Sequence, residues 1–161
     1  MNEIIMKDLS KADLNRIYEI CVSNPEYYQH MNENLSLKTI ERLLIALPPT
    51  ADIKNKKNIG FFMNNRLIGY LEMVQCYPDL DTVLIGFFVL EKTLQGKGLG
   101  SLIMKNLFNL LEKKEFKSVI LSCPSTNEAS LGFWKKIGFI QTEENEIFDD
   151  IELVIMEKFL V

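Results

Sequence analysis

The chain has 161 residues, of which 47% are apolar and 25% charged, with a formal net charge of −4. That length suits one domain with a sizeable core, here taken as residues 1–161, and the negative balance argues against nucleic acid as a partner. Spanning a bilayer takes roughly 20 apolar residues; the longest apolar run, 83–90, is far shorter, so neither a signal peptide nor a membrane anchor is expected.

Ile4–Lys7 reads as a short first strand. Ser10 with Asp13 three residues on forms an acidic capping box. Leu14, Ile17, Tyr18 and Cys21 then follow at helical spacing, which predicts a helix over 11–23 that Pro25 prevents from continuing. Ser36 caps a second helix with the stripe Ile40, Leu43, Leu44 and Leu47, stopped by Pro48-Pro49. The polar stretch 50–58 reads as a surface loop. Strands at 59–63 and 67–75 flank Asn64-Asn65, a signal for a type I′ hairpin. A turn at Tyr77-Pro78-Asp79 leads to the strand 82–90, apolar on both faces and so central in its sheet. Gly86 within it marks either a bulge or close packing against a bulky neighbour.

After that strand the sequence Leu94-Gln95-Gly96-Lys97-Gly98-Leu99-Gly100-Ser101 opens into a helix bearing Leu102, Ile103, Leu107, Leu110 and Leu111. A strand at 118–122 follows, then a helix capped by Asn127 and stopped at Gly138. Two final strands lie at about 139–147 and 150–159. The order is that of an α/β domain with a strand, glycine turn, helix and strand spaced as a parallel crossover. Cys21, Cys76 and Cys123 show no metal-like spacing, and His30 is the sole histidine. No metal site is expected, and free thiols fit a cytoplasmic setting.

A helix that starts in a glycine turn leaves its first amides free and concentrates partial positive charge there, which suits a phosphate or pyrophosphate. A Walker A loop needs GxxxxGK[ST], and no such string is present. A dinucleotide fingerprint needs GxGxxG, whereas Gly96, Gly98 and Gly100 give GxGxG. Gln95, Gly98 and Gly100 instead spell Q-x-x-G-x-G. Further on, Asn127, Ser130, Trp134, Gly138 and Phe139 stand in the register of N-x-x-A-x-x-L-Y-x-x-x-G-F. With these two motifs the chain resembles the GNAT superfamily of N-acetyltransferases, and the match in element order extends to nearly the whole chain.

The resemblance implies a single-domain GNAT fold, with a mixed, mostly antiparallel sheet and a splayed parallel strand pair flanked by helices. It implies acetyl-CoA as cosubstrate. Backbone of Phe88, Val89 and Leu90 would meet pantetheine, with 118–123 as the partner strand. Gln95, Gly96, Lys97, Gly98, Leu99, Gly100 and Ser101 would surround the pyrophosphate. Asn127, Ser130, Phe133 and Trp134 would line the arm, and the Leu90 amide would face the developing oxyanion.

Two catalytic roles stay open. Trp134 stands where relatives carry a tyrosine acid; an indole N–H donates a hydrogen bond but is no useful acid. Tyr70, Tyr77, a water or no group at all would then protonate the leaving sulfur. For the base, Glu72 lies in an apolar strand where burial would raise its pKa, unless it faces outward. Asp79, Asp81 and a water chain are the other candidates. Direct attack is favoured over an acetyl-Cys123 intermediate, since no histidine is placed to activate that thiol.

Tyr27, Tyr28 and His30 form the candidate acceptor pocket, and the acidic hairpin around Glu143 to Asp150 is either solvated surface or a cation-attracting rim. The resulting expectation is transfer of acetyl to a small primary amine. A peptide amine, at a protein N-terminus or lysine, and a CoA-binding module without turnover are the alternatives. Homodimerisation is left open.

Overall fold

The computed structural model describes residues 3–161. Seven strands form one sheet: β1 (Ile4–Asp8), β2 (Lys56–Met63), β3 (Arg66–Gln75), β4 (Thr82–Leu90), β5 (Ser118–Pro124), β6 (Ile140–Phe148) and β7 (Ile151–Phe159), in the order β1-β2-β3-β4-β5-β7-β6. Every neighbouring pair is antiparallel except β4 with β5. Helices α1 (Leu14–Val22), α2 (Pro25–His30) and α3 (Leu37–Ile45) precede β2; α4 (Leu99–Lys113) joins β4 to β5, and α5 (Glu128–Lys136) follows β5.

The local signals act as the sequence suggests, with three corrections. Ser10 and Asp13 do close a capping box, but the first turn, Lys11–Asp13, is 3₁₀ and the α-helix starts at Leu14. Residues 25–30, left outside any expected element by the stop at Pro25, form α2, because Pro25 sits at the first helical position where its missing N–H costs nothing. Lys56–Asn58, expected as loop, open β2. Their polar groups have interior partners: Asn58 donates to the Leu44 carbonyl (2.8 Å) and accepts from the Tyr70 hydroxyl (2.6 Å), while Lys56 pairs with Glu72. Asn64 and Asn65 take φ of 53° and 63°, as a type I′ turn demands.

Two apolar clusters sandwich the sheet. One joins α4 and Trp134 to Phe61, Val83, Ile85, Leu90, Val119 and Met156. The other joins Ile17 and Ile20 of α1 and Ile40 and Leu44 of α3 to Tyr70, Phe87 and Val89. Val83 and Ile85 share sequence parity with Phe87 and Val89, yet they lie in opposite clusters. Gly86 explains this. Glu72 pairs with Phe87 and Met73 with Ile85, so Gly86 is the extra residue of a bulge that reverses the alternation. Both readings of Gly86 hold at once, since a Cβ there would collide with the Glu72 carboxylate.

Candidate active site

The bulge coincides with the end of strand pairing. β4 and β5 are in register from Thr82–Ser118 to Ile85–Leu121 and no further, although β4 runs on to Leu90 and β5 to Pro124. The strands therefore splay, and a cleft of about 440 Å³ opens between them. Its lining brings together Phe88, Val89, Leu90, Gln95, Gly96, Gly98, Gly100, Ser101, Asn127, Ser130, Phe133 and Trp134 with Tyr27 and Tyr28. Lys97, Leu99 and His30 lie outside that lining.

Backbone direction follows from the pairing with β3. The Glu91 amide donates to the Ile68 carbonyl at 2.9 Å. In an antiparallel ladder such pairs alternate, so Val89 exchanges bonds with Tyr70 while Phe88 and Leu90 point the other way, into the splay. Two of the three expected pantetheine contacts thus face the cleft, whereas Val89 turns only its side chain to it. The Leu90 carbonyl is already occupied by Asn24 Nδ2 and Gln95 Nε2, each at 2.9 Å. Its amide is the open group.

Beyond Leu90 the chain turns into α4. The amides from Gly96 to Ser101 donate to no acceptor among the described residues, and the first helical bond is from Leu102 to the Gly98 carbonyl at 3.1 Å. Gly98 holds φ +82° as the N-cap, a conformation that costs an L-residue about 1–2 kcal/mol. Gly100 serves contact: a Cβ there would come within 3.2 Å of the Phe133 ring. Free amides, a helix N-terminus and the exposed Lys97 make an anion cradle next to an apolar trough.

Asn127 caps α5, its Oδ1 accepting from the Ser130 amide at 3.2 Å, and its Nδ2 is left to the cleft. Trp134 is 8% exposed and packs between Phe133 (5.0 Å) and Phe139 (5.2 Å), with Phe88 at 6.1 Å. It acts as packing for the trough wall. Tyr27 meets Phe87 edge-on at 5.0 Å, forming the opposite wall.

The geometry narrows the acid and base candidates. Tyr77, Asp79 and Asp81 lie at the start of β4, and Asp79 Oδ1 accepts from Thr82 Oγ1 at 2.8 Å. Leu90 is eight residues along the strand, roughly 26 Å away at 3.3 Å per residue. These three are therefore excluded. Tyr70 is fully buried with its hydroxyl committed to Asn58, and burial drives its pKa upward. Glu72 is not outward-facing: its side chain is 8% exposed, paired with Lys56 and tucked under the Gly86 bulge. Burial raises its carboxyl pKa although Lys56 pulls the other way. It does not line the cleft. Burial also pushes the Cys123 thiol up to about 11, so the thiolate an acetyl-cysteine route needs is scarce near neutrality.

Asn24 carries no functional signal in the sequence. It is 9% exposed and joins α1, β4 and Gln95 in one knot. An asparagine before a helix-opening proline reads only as a turn residue, so its long-range partners leave no local trace.

A splayed parallel pair, an amide-rich loop opening α4 and an asparagine-capped α5 define an acyl-CoA-binding fold. Residues 48–160 match the acetyltransferase (GNAT) domain family. The chain belongs to that family and is an acetyl-CoA-dependent N-acetyltransferase.

It is similar to a probable spermine N(1)-acetyltransferase of Bacillus subtilis subsp. natto, 27% identical over 117 residues that cover 68% of this chain and 76% of the relative. Among solved structures, an acetyltransferase from Thermus thermophilus superposes with a TM-score of 0.79 at 16% identity, covering 99% of this chain and 100% of that one. The PaiA N-acetyltransferase of Thermoplasma acidophilum, solved with coenzyme A, gives 0.68 at 19% identity, covering 98% and 99%. Among the described residues no helix is long and apolar enough to cross a membrane, and no group of three or more metal-ligating side chains occurs.

Proposed function

We propose that the acceptor is the primary amine of a small polycation of the polyamine class, and that it is acetylated directly. The observation that carries this is the wall opposite the cofactor trough. Tyr27, Tyr28 and Phe87 supply apolar and aromatic surface for methylene chains and cationic nitrogens, and Glu26 stands at the rim. The relative named for spermine acetylation supports the same class. The three free cysteines, two of them buried, support a cytoplasmic setting.

Acetyl-CoA supplies an activated thioester. Gly96, Lys97, Gly98, Leu99, Gly100 and Ser101 hold its pyrophosphate, with Gln95 fixing the loop. Phe88 and Asn127 hold the pantetheine arm, against Ser130, Phe133 and Trp134. The Leu90 amide meets the negative charge that develops on the acetyl oxygen. No side chain takes the amine proton. The Cys123 thiol stays protonated and Glu72 stays behind the bulge. The attacking amine arrives neutral after losing one proton to water, and sheds a second to solvent as the C–S bond breaks and CoA leaves as the thiolate.

Free-thiol release from acetyl-CoA with a panel of amines tests this. Spermidine and spermine should exceed monoamines and an N-terminal peptide by tenfold or more in kcat/KM, and kcat/KM should climb with pH without a plateau between 6 and 8. Equal rates with the peptide would reassign the acceptor to proteins.

A further inference from the structure

Helix α2 is short, yet both of its ends are fastened to the cofactor half of the cleft. At its start, Asn24 Nδ2 donates to the Leu90 carbonyl at 2.9 Å and to the Ile20 carbonyl at 3.0 Å, with Ser23 Oγ at 3.2 Å. Asn24 Oδ1 accepts from Gln95 Nε2 at 2.6 Å, and Gln95 also donates to the Leu90 carbonyl. The Lys92 amide adds a bond to Ser23 Oγ at 3.2 Å. At the far end, His30 Nδ1 lies 2.8 Å from Thr126 Oγ1, one residue before Asn127. One anchor thus reaches the end of β4 and the other the loop after β5.

The Leu90 carbonyl has two lone pairs and two amide donors, so its accepting capacity is used. What this end of β4 offers to the splay is then a donor, the Leu90 N–H. Side-chain amides from α2's N-cap and from the first position of Q-x-x-G-x-G together set that polarity. They also fix where the chain leaves β4 for the glycine turn.

We propose that Asn24 and Gln95 are a positioning pair. They hold the end of β4 and the glycine turn in the shape that binds acetyl-CoA, and they root that shape in α2. Cofactor binding and the order of the acceptor wall are therefore linked. From the proposed function this takes only that α2 walls the acceptor end. The readouts below use CoA alone, so a wrong acceptor would leave them unaffected.

The test titrates CoA into the full chain, followed by the fluorescence of Trp134, the single tryptophan, which lines the cleft. Asn24→Ala and Gln95→Ala should each weaken CoA binding about tenfold, as loss of a hydrogen bond in a buried to part-buried network does. The double variant should stay near tenfold, because both changes break the same knot. A double variant near a hundredfold would show independent roles and overturn the pair. So would a lowered melting temperature with unchanged CoA affinity, the mark of a merely structural knot.

Asn24→Asp keeps the acceptor for Gln95 but sets a carboxylate against the Leu90 carbonyl. It should bind CoA no better than Asn24→Ala, and wild-type affinity would count against the polarity argument. Gln95 is exposed, so Gln95→Ala decides the matter even if Asn24 variants fail to fold; normal CoA affinity there overturns the proposal. Hydrogen exchange reads the link to α2. CoA should slow the Met31 and Glu33 amides, which close α2 onto the Tyr27 and Tyr28 carbonyls. It should do so severalfold in the wild type and not in Gln95→Ala. No slowing in the wild type would remove the link.

Discussion

Thr82–Ile85 and Phe87–Leu90 are two halves of one apolar strand, both set against β3, and only the first is also paired with β5. The first half shares its core with α4 and behaves as scaffold. The second leaves β5, sends Phe87 and Val89 to the α1–α3 side and exposes the Phe88 and Leu90 backbone to the cleft. Hydrophobicity does not separate them. One unpaired residue does, and it is the residue whose missing Cβ makes room for a buried carboxylate.

The largest effect should therefore come from filling that room. Gly86→Val sets a side chain where the Glu72 carboxylate sits, so the Lys56–Glu72 pair must be expelled or broken. Breaking a buried pair costs about 3–5 kcal/mol, enough to be plain in urea unfolding and to abolish CoA binding with it. Near-normal stability would mean that the bulge does not depend on Gly86. Glu72→Gln breaks the pair more gently, leaving the Lys56 ammonium with an amide partner, and should cost about 3 kcal/mol, the low end of that range. Its pH–rate profile should match the wild type. A collapse of kcat with loss of an acidic limb would return Glu72 to the role of base.

The loop beyond the second half gives the next effect, on affinity and less on folding. Gly98→Val forces a β-branched residue to φ +82° and misdirects the amides of the turn. Losing two charge-assisted bonds at about 1.5 kcal/mol each predicts roughly hundredfold weaker CoA binding by calorimetry. Normal affinity in a folded Gly98→Val would detach the loop from the cofactor.

A smaller effect concerns how the splayed end is held without β5. Glu91 follows Leu90 and bridges Arg16 (2.8 Å) and Arg66, while Arg16 Nε also donates to the Leu67 carbonyl at 3.0 Å. Hydrogen bonds from Arg66 and then Arg16 lower the Glu91 carboxyl to about 2 from 4.5. A carboxylate lowered by folding contributes fully above its ordinary value and loses that contribution as the pH falls from 4.5 toward 2. Glu91→Gln should cost about 1 kcal/mol at pH 7, discounted for the exposed Arg66. It should cost almost nothing near pH 2, as thermal melts at the two pH values would show. An equal loss at both would tie the effect to packing.

What the sequence made legible follows the same division. The cofactor side rests on short-range signals: the glycines of 96–100, Asn127 as a cap and the apolar helix after Gly98 each act within a few residues. The acceptor side rests on distant partners. Lys56, Asn58 and Glu72 look like polar loop and strand surface until the fold brings them together, and Asn24 meets its partners across 66 and 71 residues. Polarity alone suggests a loop at 56–58, and Pro25 signals a stop although it also starts a helix. Val89 lines the cleft by its side chain and not its backbone, because the side from which a strand residue bonds depends on the register of its neighbour.

Trp134 gives the smallest expected change and probes the second half of β4 from across the cleft. Relatives place a tyrosine acid here, so Trp134→Tyr would restore the hydroxyl that the resemblance says is missing. A coenzyme thiol has a pKa near that of a free cysteine, about 8.5, so the departing thiolate needs little help near neutral pH. The indole is meanwhile held by Phe133, Phe139 and Phe88, and a smaller ring leaves part of that space empty, at about 1 kcal/mol of stability. The change in kcat should be under about threefold, with a slightly lower melting temperature. If Trp134→Tyr instead raised kcat tenfold and brought a basic limb near the tyrosine range, sulfur protonation would be rate-limiting in this chain. The splayed half of β4 would then be an incomplete site whose missing part lay on α5.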